Sequence, residues 1–264
     1  MRSFTLLLID YCMRFKKYPI LFFFAVLFFS CSKKDQPGNS APDGKTYSHQ
    51  AVGKSAHDLL SASTFTSLKI EIQYMPGYKP DDGAVNQVKS FLNGLLNKPG
   101  GISVTETQIP SLGKTPVSLD DVISVENKYR TSYANSKEID VYILFTDADY
   151  KDNTVLGMAY RNTSVCIFAK TIHDNSGGIG QANRAQLSAT VLEHEFGHLL
   201  GLVNTGSPMQ VNHEDSAHPN HCNNKNCLMY YAAETTDILG FLIAGNTPLL
   251  DTNCLDDLKA NGGK

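Results

Sequence analysis

The 264-residue sequence predicts an α+β fold: a mixed, twisted sheet with helices packed on it, followed by a smaller irregular half. Three observations carry this. Strand-like and helix-like periods alternate through the first part of the chain. A hairpin pattern and then one long helical pattern follow, ending at Gly201. Beyond that glycine the chain turns polar and rich in His, Asn and Cys, with room for only one or two short helices near 236–243 and 253–260.

The elements run in this order. A helical turn falls around Ser55–Leu60. Ser67–Met75 (SLKIEIQYM) alternates, with Leu68, Ile70, Ile72 and Tyr74 on one face, and reads as a strand. Residues 81–97 place Val85, Val88, Phe91, Leu92, Leu95 and Leu96 at helical spacing behind Asp81 and Asp82. Ile102–Ile109 reads as a second strand, and Ser118-Leu-Asp-Asp121 opens a helix with a capping-box pattern that runs to about Ala134. Ile139–Phe145 is a buried strand. Leu156–Tyr160 and Ser164–Ala169 pair as a hairpin around Arg161-Asn162-Thr163, and the long helix covers about Asn183 to Leu200.

Composition is that of an ordinary globular protein, 42% hydrophobic and 19% charged. Formal net charge is −3, and because residues 1–30 hold four Lys/Arg against one Asp, about −6 is left to the rest. With no Lys/Arg run, nucleic acid is excluded as a partner. No phosphate loop, nucleophile elbow or dinucleotide fingerprint occurs.

Residues 1–30 read as a targeting segment. Arg14, Lys16 and Lys17 precede an apolar stretch from Tyr18 to Phe29, short of the roughly 20 residues a spanning helix needs. Ser30-Cys31 closes it and resembles the bacterial lipobox. That resemblance implies acylation of Cys31, a mature chain beginning there, and an exported protein tethered to a membrane; an uncleaved anchor helix is the competing reading. Residues 31–50, poor in large aliphatics and rich in Pro, Gly, Ser and charge, read as a flexible tether. Residues 51–264 form the folded part, divided at 201/202.

The strongest chemical signal is His194-Glu195-Phe196-Gly197-His198. Residues four apart share a helix face, so two imidazoles reach one metal while Glu195 approaches a water on it. Val191, Leu192, Leu199 and Leu200 supply the apolar face, and Gly201 falls where a glycine ends a helix. The bland alternative is an amphipathic helix with two exposed histidines.

Extended to Gly201, the motif resembles the metzincin metallopeptidases. In that family a third histidine follows three residues after the glycine; here that position is Asn204, and the pattern breaks. Further on, His221-Cys222-x4-Cys227-Leu228-Met229 resembles the corresponding block of archaemetzincins. The resemblance implies a metzincin-like fold with His221 as third zinc ligand, Met229 and Tyr231 in the turn beneath the metal, and 202–220 as an insertion. It implies a Zn2+-dependent peptidase, in which Glu195 is the general base toward a zinc-bound water and a polypeptide or peptide is the substrate. The sequence does not give the oligomeric state, and a monomer is assumed. A strand just before the zinc helix, here Leu156–Tyr160, is then placed to pair with substrate backbone. His213, His218 and Asp215 remain rival ligands.

Archaemetzincins hold a second, structural zinc with four cysteines, including a later C-x-x-C. This chain has only Cys254 downstream. In an oxidising compartment the expectation is therefore a Cys222–Cys227 disulfide, with Cys166 a buried thiol. A tethered binding or adhesion protein that keeps the fold without turnover is the alternative function. The intact Glu195 argues against it, since a binding site has no need of a general base.

Overall fold

The structure is a computed structural model that describes residues 43–264. The targeting segment and Cys31 lie outside the described residues. Helices are α1 (Gly44–Tyr47), α2 (Ala56–Leu60), α3 (Asp82–Leu95), α4 (Leu119–Tyr129), α5 (Ala169–Asp174), α6 (Arg184–Leu199), α7 (Leu239–Ile243) and α8 (Thr252–Ala260). Strands are β1 (Ser67–Tyr74), β2 (Ile102–Gln108), β3 (Glu138–Phe145), β4 (Gly157–Arg161) and β5 (Ser164–Ile167).

The five strands form one sheet in the order β2-β1-β3-β5-β4. All neighbours are parallel except β4, which pairs antiparallel with β5 and forms the sheet's edge. Parallel strands need crossover connections; α3 supplies the one between β1 and β2 and α4 the one between β2 and β3, on opposite faces, whereas β3 reaches β5 through β4. On β3, Ile139, Val141, Ile143 and Phe145 face one way, into a core shared with Val88 and Leu92 of α3 and Leu187, Val191 and Phe196 of α6. Tyr142 and Leu144 face the other way, against Val122 and Val125 of α4. Each such side chain contributes roughly 1.5–3 kcal/mol when fully buried, so this two-sided strand is a main support of the sheet.

Three features add to or change what the sequence predicts. First, the polar face of β1 is not open to water: Glu71 and Gln73 are buried. The Glu71 carboxylate accepts from the backbone N–H groups of Thr131 (2.9 Å) and Ser132 (2.7 Å). Second, α4 begins at the expected capping box, where Ser118 N donates to Asp121 Oδ2 at 2.8 Å, but it stops at Tyr129. The chain turns there because the Arg130 guanidinium enters the interior to meet Glu126 Oε1 (2.8 Å) and the Asp140 carbonyl (3.0 Å). Third, residues 43–50 belong to the fold and not to a tether. Asp43 caps α1 through Thr46 N (2.9 Å), Ser48 is buried, and Gln50 and Asn162 exchange hydrogen bonds of 3.0 Å. Polar bonds hold this stretch where aliphatic residues are scarce.

Candidate functional site

Helix α6 carries the histidine motif through the middle of the molecule. Asn183 caps it by accepting from Gln186 N at 3.0 Å. Its residues from Leu187 to Leu199 are all buried, between the sheet on one side and the irregular half on the other. Gly201 takes φ +86°, which a side chain would strain, and redirects the chain after the helix.

His194 and His198 sit on one face of α6 with their Nε2 atoms 3.1 Å apart. His221 joins them, its ring 5.4 Å from His194 and 5.1 Å from His198. Each Nδ1 faces a backbone carbonyl: His194 to Leu228 O (2.7 Å), His198 to Leu202 O (3.0 Å) and His221 to Pro219 O (3.1 Å). A carbonyl only accepts, so each Nδ1 carries the proton and each Nε2 presents a lone pair. Lone pairs that converge need a cation between them. The buried Nε2 of His221 has no hydrogen-bond partner. Three oriented imidazoles of this kind fit a zinc ion, each held by the hydrogen bond on its far side. Burial, reinforced for His194 by the neighbouring His198 charge, holds the His194 pKa down at about 3; burial likewise holds His198 at about 4. Both are therefore neutral near pH 7.

Glu195 lies beside this cluster. Its Oε2 accepts from Ala159 N on β4 at 2.6 Å, while Oε1 is buried without a partner. Burial pushes its carboxyl well above the usual range, the Glu234 carboxylate adds to this, and the Ala159 N–H opposes it. The cleft over these groups is lined by Met158 and Ala159 of β4 together with Glu195, His198, His221 and Glu234.

Met229 is buried beneath the motif, against Gly197, and its carbonyl accepts from Cys222 N at 2.7 Å. The Tyr231 ring stacks on that of His218 at 3.7 Å. Asn204 turns away, donating to Glu214 at 3.2 Å. Of the rival ligands, His218 pairs with Asp215 at 2.8 Å and His213 with Asp257 at 2.8 Å, so neither histidine nor Asp215 joins the cluster. Sequence reasoning missed Glu234, which reaches the imidazoles from the 3-10 turn Tyr231–Glu234. A single glutamate in no motif left no signal.

The expected Cys222–Cys227 disulfide is not formed; all four cysteines among the described residues are free thiols. The reason is a second cluster. His213, Cys222, Asp251 and Cys254 bring ligand atoms within 4.8 Å of one another, and Cys227 Sγ lies 3.6 Å from Cys254 Sγ. Asp257 takes the proton side of His213 at Nε2, which turns Nδ1 toward Cys222 Sγ at 3.4 Å. Thiolates and an imidazole are donors that suit zinc.

Residues 101–205 match the family model described as Metallo-peptidase family M12B, Reprolysin-like. This supports a metzincin-like zinc peptidase. The matched stretch is under half of the chain; it includes His194, Glu195 and His198 and ends before His221. Among solved structures, archaemetzincin from Methanopyrus kandleri is similar with a TM-score of 0.47 and 14% identity, covering 74% of this chain and 96% of that one. Metalloproteinase-II from Bacteroides fragilis is similar with a TM-score of 0.41 and 17% identity, covering 76% of this chain and 55% of that one. No curated protein matches the chain.

Proposed function

We propose that this protein is a zinc-dependent endopeptidase with His194, His198 and His221 as metal ligands and Glu195 as general base. One observation carries the reading: three Nε2 lone pairs converge next to a buried carboxylate. Bound zinc supplies Lewis acidity, polarising the scissile carbonyl and lowering the pKa of water toward about 7. Glu195 accepts the proton of the attacking water as the new C–O bond forms, and delivers it to the amine nitrogen as the C–N bond breaks. The hydrogen bond from Ala159 N holds Glu195 in place for both transfers.

An extended peptide is the fitting substrate. Edge strand β4 contributes Met158 and Ala159 to the same cleft as Glu195, so a chain laid along it would be read as an added strand. Digesting a mixed peptide library with zinc-loaded protein and sequencing the products tests this; internal cuts are expected, and intact peptides would overturn it.

We infer further that the protein is exported and tethered to a membrane by a lipid on Cys31. The basic cluster, short apolar stretch and Ser30-Cys31 support this. Cys31→Ala should move the protein out of membrane pellets.

A further inference from the structure

Beside the three histidines stands a carboxylate that the mechanism above does not use. Glu234 Oε1 lies 3.4 Å from His221 Nε2, and Oε2 lies 3.7 Å from His194 Nε2 and 3.9 Å from His198 Nε2. The latter two contacts are too long for hydrogen bonds, and His221 Nε2 has no aligned partner. Donors placed tetrahedrally around zinc, with bonds of about 2.0–2.2 Å, stand roughly 3.3–3.5 Å from one another. The separations here, from 3.1 Å between His194 and His198 to 3.9 Å at Glu234, bracket that value. A carboxylate with both oxygens turned toward three converging Nε2 atoms is arranged as a ligand and not as a bystander.

The backbone of Glu234 is held. Its carbonyl accepts from Leu156 N at 2.8 Å, and Thr236 N donates to Thr154 O at 2.9 Å, tying this turn to the start of β4. The side chain itself is 27% exposed toward the cleft, which leaves it room to rotate.

We propose that Glu234 is a fourth protein ligand to the zinc, which closes the resting site and swings off the metal before a peptide is cut. Catalytic zinc keeps three protein ligands and one open position, whereas four protein ligands close it. The proposal rests on the zinc-peptidase reading above.

The test uses the full chain loaded with zinc or with cobalt(II), as wild type, Glu234→Gln and Glu234→Asp. Glutamine keeps the shape and weakens the donor; aspartate keeps the charge but is one methylene short. Both variants should bind zinc at least tenfold more weakly in competition with a chelator, and should alter the visible spectrum of the cobalt protein. Metal-saturated Glu234→Gln should cut the peptide library several-fold faster. A measurement on the unaltered protein guards against a variant that misfolds. In water enriched in the magnetic oxygen isotope, the paramagnetic resonance of the wild-type cobalt protein should show no broadening, because no water sits on the metal. Broadening in the wild type, or unchanged zinc affinity and spectrum in Glu234→Gln, would overturn the fourth ligand and leave the peptidase reading standing. A wild-type chain that binds no metal at the histidines would overturn both.

Discussion

Gly197 and Met229 meet in a gap with no room for a further atom: a Cβ on Gly197 would lie 2.2 Å from the Met229 sulfur. The glycine inside the histidine motif is thus what lets the methionine pack directly under the helix face that carries His194 and His198. Met229 is fully buried, so making room for a Cβ means repacking its side chain among core neighbours. Gly197→Ala should cost about 1–3 kcal/mol as an overpacked core does. The checkable outcome is a melting temperature lower by several degrees, with weaker zinc retention because the turn also supplies the Leu228 carbonyl that orients His194.

Glu195→Gln should keep its zinc and lose turnover. The amide preserves shape and cannot accept the proton, so kcat/KM should fall by about 10²–10⁴-fold. Zinc content by elemental analysis and cleavage of a peptide library are read on the same preparation. Wild-type cleavage rates would remove Glu195 from its role.

The three outlying histidines separate cleanly. His221→Ala should lose the metal at the α6 histidines together with activity. His218→Ala removes a half-exposed ring that stacks on Tyr231, and should change little. His213→Ala leaves buried Asp257 without its 2.8 Å partner, which costs about 1–3 kcal/mol. It should lower thermal stability while the α6 histidines keep their metal. Metal loss from those histidines in His213→Ala, with His221→Ala unaffected, would reverse the assignment.

The sheet, its helices and the histidine motif were legible because each is local. β1, β3, α3 and α6 announce themselves by period, and the helix face brings His194, Glu195 and His198 together whatever surrounds them. What the sequence hid depends on partners distant along the chain. Arg130 ends α4 early because Glu126 and the Asp140 carbonyl receive it. Residues 43–50 fold because the turn at Asn162 binds them, and no composition rule sees that. His221 was legible only by resemblance. Cys222 and Cys227 suggest a bridge because only Cys254 follows them, whereas His213 reaches the same cluster from a distant loop that no local pattern ties to it.

The cysteines give a direct check on that correction. In denaturant with a chelator and without reductant, Cys166, Cys222, Cys227 and Cys254 should all alkylate, since each is a free thiol. Peptide mapping that instead recovered a Cys222–Cys227 cross-link would restore the expected disulfide.

Asp140 sets a pH dependence of stability away from the site. It is buried in β3, its Oδ1 has no hydrogen-bond partner, and Arg130 Nη2 stands 3.7 Å away. That guanidinium is already engaged by Glu126 at 2.8 Å. Burial raises the Asp140 carboxyl to about 7, with Arg130 opposing the rise only in part. The fold therefore favours the protonated acid over its ordinary form near 3.8. This contribution is fully present below the unfolded value and is lost as pH climbs from about 4 to about 7. Asp140→Asn keeps a neutral group of the same shape at every pH. It should match the wild type near pH 4 and exceed it at pH 8, by an amount on the order of 2–4 kcal/mol. Urea midpoints for both proteins at several pH values from 4 to 8 measure the gap. A gap that stays constant across that range would show that Asp140 does not titrate there.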